Sequence, residues 1–196
     1  MNDIQNLKQP RVSHAISHET AASGFPMASE PQTGSLLRTL AATKPAGAFL
    51  ELGTGTGLST AWILDGMDQS ATLVSVDNDE NVQAIARRHL GNDPRVSFHL
   101  ADGATFLLSL TGKQFDYIFA DTWPGKYEHL DDALALLKPG GLYIVDDMLT
   151  QANWPSGHDL KVAALIATLE QRSDLTLTKL NWASGVILAT KQSCPS

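Results

Sequence analysis

Five aspartates in this sequence, Asp77, Asp102, Asp121, Asp146 and Asp147, each close or directly follow a short apolar run. Runs of that length read as buried strands, and in an open α/β sheet ligands gather beyond the carboxyl ends of the strands. Recurrence on successive units therefore marks one working edge. Asp77, 20 residues after Gly57, is placed to accept both hydroxyls of a ribose; capping the next helix is its other reading. Asp102 with Phe106 has the types to clamp an adenine, or to serve as a helix cap and a core aromatic. Asp121, Asp146 and Asp147 would repel one another unless something cationic sits between them. A hard divalent cation with oxygen ligands is one answer, and Lys126 or a protonated carboxyl is the other.

A glycine turn stands ahead of these carboxylates. Apolar residues from Ala46 to Leu52 predict a strand, Gly53, Gly55 and Gly57 a turn, and Leu58 onward a helix. The glycines permit positive φ and let a ligand lie against the backbone at a helix N-terminus. Leu58 stands where a dinucleotide fingerprint wants its third glycine, which weakens a nicotinamide reading.

Further strands are expected at 71–77, 96–100, 115–120, 142–145, 175–180 and 186–190, and helices at 34–40, 58–64, 79–90, 104–110, 127–137 and 158–169. Five helical crossovers followed by a hairpin predict a mostly parallel seven-stranded sheet, helices on both faces and an antiparallel last strand. Residues 1–45 read as a helical and irregular segment on the substrate side, and 46–191 as the core, within one domain spanning 1–196. His14 and His18 lie one helical turn apart, as on a solvated helix face.

Composition narrows the class. The chain has 196 residues, 43% of them hydrophobic, and a formal charge of −7 from 14 basic and 21 acidic residues. That balance suits a soluble cytoplasmic protein and argues against a large nucleic-acid footprint. Cys194 is the only cysteine, which excludes a disulfide framework or thiolate cluster. No apolar stretch is long enough to span a membrane, and the N-terminal residues lack the pattern of a signal peptide.

Phe49 to Gly57, Val76-Asp77, Phe119-Ala120-Asp121 with Lys126-Tyr127, and Lys138 to Gly141 with Val145-Asp146-Asp147 together resemble motifs of one family. From about Met27 to Thr190 the chain resembles class I S-adenosylmethionine-dependent methyltransferases, in particular the catechol and caffeoyl-CoA O-methyltransferases. The resemblance implies a Rossmann-like, doubly wound sheet with strand order 3-2-1-4-5-7-6. It implies that Glu51 and Gly53 line the methionine portion of S-adenosylmethionine, with Thr54, Gly55, Gly57 and Ser59 completing that side. Asp77 and Asn78 would bind the ribose, and Asp102 and Gly103 would lie near the adenine. Asp121 would adjoin the cofactor and, with Asp146 and Asp147, occupy the positions of a Mg²⁺ or other divalent cation site. Asp147 stands where the family usually has asparagine. Lys126 would be the catalytic base, although Thr122 to Gly125 intervene where the family's lysine follows its aspartate closely. His129 reads as a surface residue.

The expected reaction is methyl transfer to a hydroxyl of a small molecule. Met27, Trp123 and Trp154 are candidate substrate contacts, and the two tryptophans suggest a planar aromatic acceptor. A metal-independent methyltransferase and a non-catalytic cofactor-binding protein are the competing readings. The resemblance also implies a possible homodimer.

Overall fold

A computed structural model describes residues 2–5 and 7–193, so Cys194 lies outside the described residues. Two helices, α1 (Ser13–Ser23) and α2 (Pro31–Ala41), precede β1 (Ala48–Leu52), α3 (Leu58–Gly66), β2 (Thr72–Asp77), α4 (Glu80–Leu90) and β3 (Val96–Leu100). Then follow α5 (Gly103–Ser109), β4 (Phe115–Ala120), α6 (Leu130–Ala135), β5 (Leu137–Val145), α7 (His158–Glu170), β6 (Leu175–Leu180) and β7 (Val186–Lys191). The seven strands lie in the order β3-β2-β1-β4-β5-β7-β6, with β7 antiparallel to both neighbours. This is the expected order.

Period-two alternation divides the central strands between two cores. Phe49, Tyr117, Phe119 and Ile144 face a layer containing Ile16, Leu37, Ile63 and Ile85 from α1 to α4. Leu50, Leu52, Ile118, Ala120 and Val145 face Leu107, Leu134, Val162 and Leu165 from α5 to α7. Side chains of opposite parity on one strand must point to opposite faces, so a strand apolar at every position is covered on both sides.

Several expected boundaries move, α2 beginning at Pro31 instead of Gly34 among them. The helix predicted over 127–137 shrinks to α6, because Lys126, Tyr127 and Glu128 all donate their backbone N–H to the Trp123 carbonyl, and His129 takes a positive φ of 55°. β5 begins at Leu137 instead of Leu142, because Leu137 pairs with Phe115 before an irregularity carries the chain through the exposed Pro139-Gly140 turn. His14 and His18 are exposed on α1, as expected.

Close packing of α2 on α3 depends on Gly34. A Cβ there would fall 2.2 Å from Cδ1 of Trp62, whose ring is 3% exposed and carries the Arg38 guanidinium 4.8 Å from its centroid. Gly34→Ala should therefore destabilise the protein by about 2 kcal/mol through overpacking, read as a shift of the urea midpoint. An unchanged midpoint would show that the ring can move aside.

Candidate active site

The parallel strands end on one edge, and the loops beyond them enclose a cavity of about 490 Å³. Its first wall is the turn after β1. Gly53 and Thr54 donate their N–H groups to the Val76 carbonyl at 3.0 and 3.1 Å, continuing the sheet one step past its last residue. Gly53 has φ 99°, and a Cβ there would meet the Asp121 carbonyl oxygen at 2.9 Å, so only glycine leaves this passage open. The Gly55 N–H donates to Asp77 Oδ2 at 2.7 Å, and the Asp79 N–H donates to Asp77 Oδ1 at 3.0 Å. Each carboxylate oxygen can accept more than one bond, so Asp77 can both shape the turn and take ligand hydroxyls.

Thr54, Ser59, Asp77, Asn78 and Asp121 join Gly53 and Gly55 on the cavity wall. Four other residues expected there do not reach it. Gly57 closes the turn with φ 92° against Ala86, where a Cβ would meet the alanine Cβ at 2.7 Å; its role is to let α4 approach. Asp102 caps α5 by accepting from the Thr105 N–H at 2.8 Å, the capping alternative of its two sequence readings. Gly103 packs against Pro124. Glu51 lies fully buried behind the turn.

Glu51 ends a directed chain of hydrogen bonds. Ser59 donates to Oε1 at 2.7 Å, and Thr60 and Ser75 both donate to Oε2 at 2.6 Å. With the Ser75 proton committed to Glu51, Thr54 must donate to Ser75 Oγ at 2.7 Å, and Gln83 Nε2 donates to Thr54 at 3.1 Å. Every donor in the chain points toward the carboxylate. Burial nevertheless raises its pKa from 4.5 to about 7, against the lowering effect of the three hydroxyls.

The second wall begins with Trp123-Pro124-Gly125-Lys126-Tyr127. Tyr143 Oη donates to the Gly125 carbonyl, and Gly125 has φ 90° where a Cβ would strike Leu52 at 2.5 Å. This turn drives Lys126 inward, leaving it 4% exposed with Nζ 3.4 Å from Asp121 Oδ1. Asp146 Oδ1 accepts from Ser184 Oγ at 2.5 Å and from the Asp147 N–H at 2.9 Å, and Asp147 adopts a positive φ of 60°. Burial is the main cause that raises Asp121 well above the usual carboxylate range and Asp146 to about 6; neighbouring carboxylates add to it and Lys126 opposes it. All three carboxylates line the cavity with Lys126.

The expected cation site is not shown. Among the described residues no three His, Cys, Asp or Glu side chains are grouped to hold a metal ion. Asp121 is engaged by Lys126 and Asp146 by Ser184, an arrangement in which a lysine supplies the positive charge.

Met27, Trp123 and Trp154 all line the cavity. Between the tryptophans stands a residue the sequence reading passed over, His158. Its ring centroid lies 4.6 Å from that of Trp154, 5.2 Å from Tyr127 and 6.3 Å from Trp123. Nε2 is 3.2 Å from Tyr127 Oη. Burial, with Asp147 and Asp121 adding to it, raises the Tyr127 phenol to about 12, so it keeps its proton in the neutral range. His129, by contrast, pairs with Asp132 outside this cavity.

Residues 50–148, about half of the chain, match a methyltransferase domain family. Among curated proteins, one assigned as an O-methyltransferase in Mycolicibacterium vanbaalenii is 32% identical over 120 residues, covering 59% of this chain and 53% of the relative. A catechol O-methyltransferase of Niastella koreensis is 29% identical over 143 residues, 69% of this chain and 65% of that one. The chain thus spans about half the length of the first of these relatives and about two thirds of the second. The O-methyltransferase TomG of Streptomyces achromogenes, solved with S-adenosylmethionine, superposes with a TM-score of 0.83 at 23% identity over 96% of this chain and 93% of its own. That last likeness is one of fold.

Proposed function

The chain belongs to the methyltransferase domain family, and on that premise we propose that it transfers a methyl group from S-adenosylmethionine to a hydroxyl of a small aromatic molecule. One observation carries the reading: a single cavity joins the glycine turn and Asp77 on one wall to Lys126, Trp123 and Trp154 on the other. The first wall has what a nucleoside with a charged tail needs. Asp77 offers acceptors for ribose hydroxyls, and Gly53 and Gly55 leave the backbone approachable, with Thr54 and Ser59 on the same wall. The bound donor supplies an activated methyl group on a sulfonium.

The chain's own contribution is alignment and charge. Trp123 and Trp154 offer ring faces to a planar acceptor, which suits the aromatic class named by the Niastella koreensis relative. Lys126, buried in the cavity wall, is the catalytic residue of this reading: its charge favours the oxyanion formed when the acceptor hydroxyl gives its proton to solvent, and that oxygen bonds the methyl carbon as the carbon–sulfur bond breaks, leaving a neutral thioether. Preorganised alignment and a fixed charge suffice for a transfer of this kind. Because Lys126 stands where the carboxylates call for a cation, the metal-independent form of the reaction is favoured over the metal-assisted one.

Calorimetry with S-adenosylhomocysteine and turnover of a panel of hydroxylated benzenes and benzoates test the reading. Binding of the nucleoside and methylation of at least one panel member are expected, at a rate unchanged by a chelator. Turnover lost on chelation and restored by Mg²⁺ would reinstate the metal; absence of nucleoside binding would end the methyltransferase reading altogether.

A further inference from the structure

His158 is the first residue of α7, following Gly157 at φ 81°. It is 9% exposed, and its Nδ1 is buried without a hydrogen-bond partner among the described residues. A neutral imidazole carries one proton on two nitrogens, so one of them donates and the other accepts. If Nδ1 held the proton, a buried N–H would be left without an acceptor, the rarer and costlier kind of orphan. With the proton on Nε2 the orphan is only an unshared lone pair. His158 then donates to Tyr127 Oη across 3.2 Å, which leaves the phenolic proton uncommitted. No protein acceptor takes that proton among the described residues, and both side chains line the cavity.

Resting on the methyltransferase reading, we infer that Tyr127 is a specificity-determining residue that donates its phenolic proton to a second oxygen substituent on the acceptor ring, and that His158 is the positioning residue that turns the proton into the cavity. The surroundings fit a flat ligand. Trp123 meets the Tyr127 ring edge-on at 85° with centroids 6.0 Å apart, and Trp154 leans on His158 from the other side. Behind Trp123, Lys161 Nζ sits 4.2 Å from the indole centroid and holds it by a cation–π contact. An aromatic ring entering between these side chains meets aromatic edges and faces, with the Tyr127 hydroxyl among them as a donor. The chemistry recognised is thus a hydroxylated aromatic compound bearing a further hydrogen-bond-accepting oxygen, such as a second hydroxyl, a carbonyl or an ether.

Two measurements test this. The nitrogen chemical shifts of the His158 imidazole in the wild-type protein report the tautomer directly; protonated Nε2 is expected, and protonated Nδ1 overturns the proposal. Catechol and phenol are then compared as acceptors with S-adenosylmethionine for the wild type, Tyr127→Phe, His158→Gln and His158→Leu. Losing one hydrogen bond should raise KM for catechol relative to phenol roughly tenfold in Tyr127→Phe, with the larger change in KM and the smaller in kcat. His158→Leu should follow in the same direction, and His158→Gln, whose amide can still donate, should recover part of the difference. Equal effects on catechol and phenol, or none, overturn the role of Tyr127. A wild type that binds S-adenosylhomocysteine but methylates neither phenol nor catechol overturns this assignment while leaving the cofactor reading intact. Failure to bind the nucleoside marks failure of the earlier reading instead.

Discussion

Replacing Glu51 with glutamine should flatten the dependence of stability on pH and make the ligand-free protein more stable at pH 8. The carboxyl has a pKa of about 7 in the folded protein against an ordinary value of 4.5. Between those values the folded state holds a proton that the unfolded state has released, so stability falls as pH rises through this window. Below 4.5 both states are protonated and the group adds no penalty; above 7 both are ionised and the penalty is complete. Taken at 1.36 kcal/mol per pH unit, it amounts to about 3 kcal/mol. Glutamine carries no charge across the range, but its NH₂ group confronts a cluster arranged to donate, and one or more hydroxyls must rotate. The variant should therefore be the less stable of the two near pH 5 and the more stable near pH 8. Urea melts from pH 5 to 9 check this, and parallel profiles for the two proteins would sink it.

The position of Glu51 also shows what the sequence made legible. The resemblance placed it against the methionine portion of a cofactor, yet period-two geometry puts Glu51 on the same face as Phe49, toward α3 and away from the strand end. That signal was present in the alternation of β1. The strand order, the strand-end aspartates and the aromatic loops were likewise legible, because apolar runs and glycine turns are local patterns. Residues 127–129 were not. Their helical composition is overruled by three N–H groups converging on the Trp123 carbonyl, a contact set by Gly125 packing on Leu52. His158 carries little signal in the sequence, because it opens a helix after a long loop instead of closing an apolar strand. Its only sequence cue is Trp154 four residues earlier, and the partner Tyr127 lies 31 positions away. Whether Asp121, Asp146 and Asp147 gather around a metal or around Lys126 depends on an inward turn at Gly125 that no local pattern announces.

Replacing Asp77 should have the largest effect on nucleoside binding. Its oxygens accept from the Gly55 and Asp79 N–H groups, which fixes the carboxylate at the end of β2 before any ligand arrives. Under the methyltransferase reading two ribose hydroxyls add to it, and hydrogen bonds to a charged acceptor contribute about 1.5 to 3 kcal/mol each. Asp77→Ala should then weaken S-adenosylhomocysteine by roughly 10² to 10⁴-fold. Asp77→Asn keeps one oxygen for the Gly55 N–H but places an NH₂ where the second acceptor stood, and should lose roughly 10 to 100-fold. A loosened turn would also weaken binding, so the variants alone do not isolate the ribose contact. Comparing S-adenosylhomocysteine with its 2′-deoxy analogue in each protein does, as a double-mutant cycle does for two side chains. The wild type should prefer the hydroxylated nucleoside, and in Asp77→Ala that preference should vanish while the residual binding persists. A preference that survives in the alanine variant would assign the ribose to another group and leave Asp77 the task of holding Gly55.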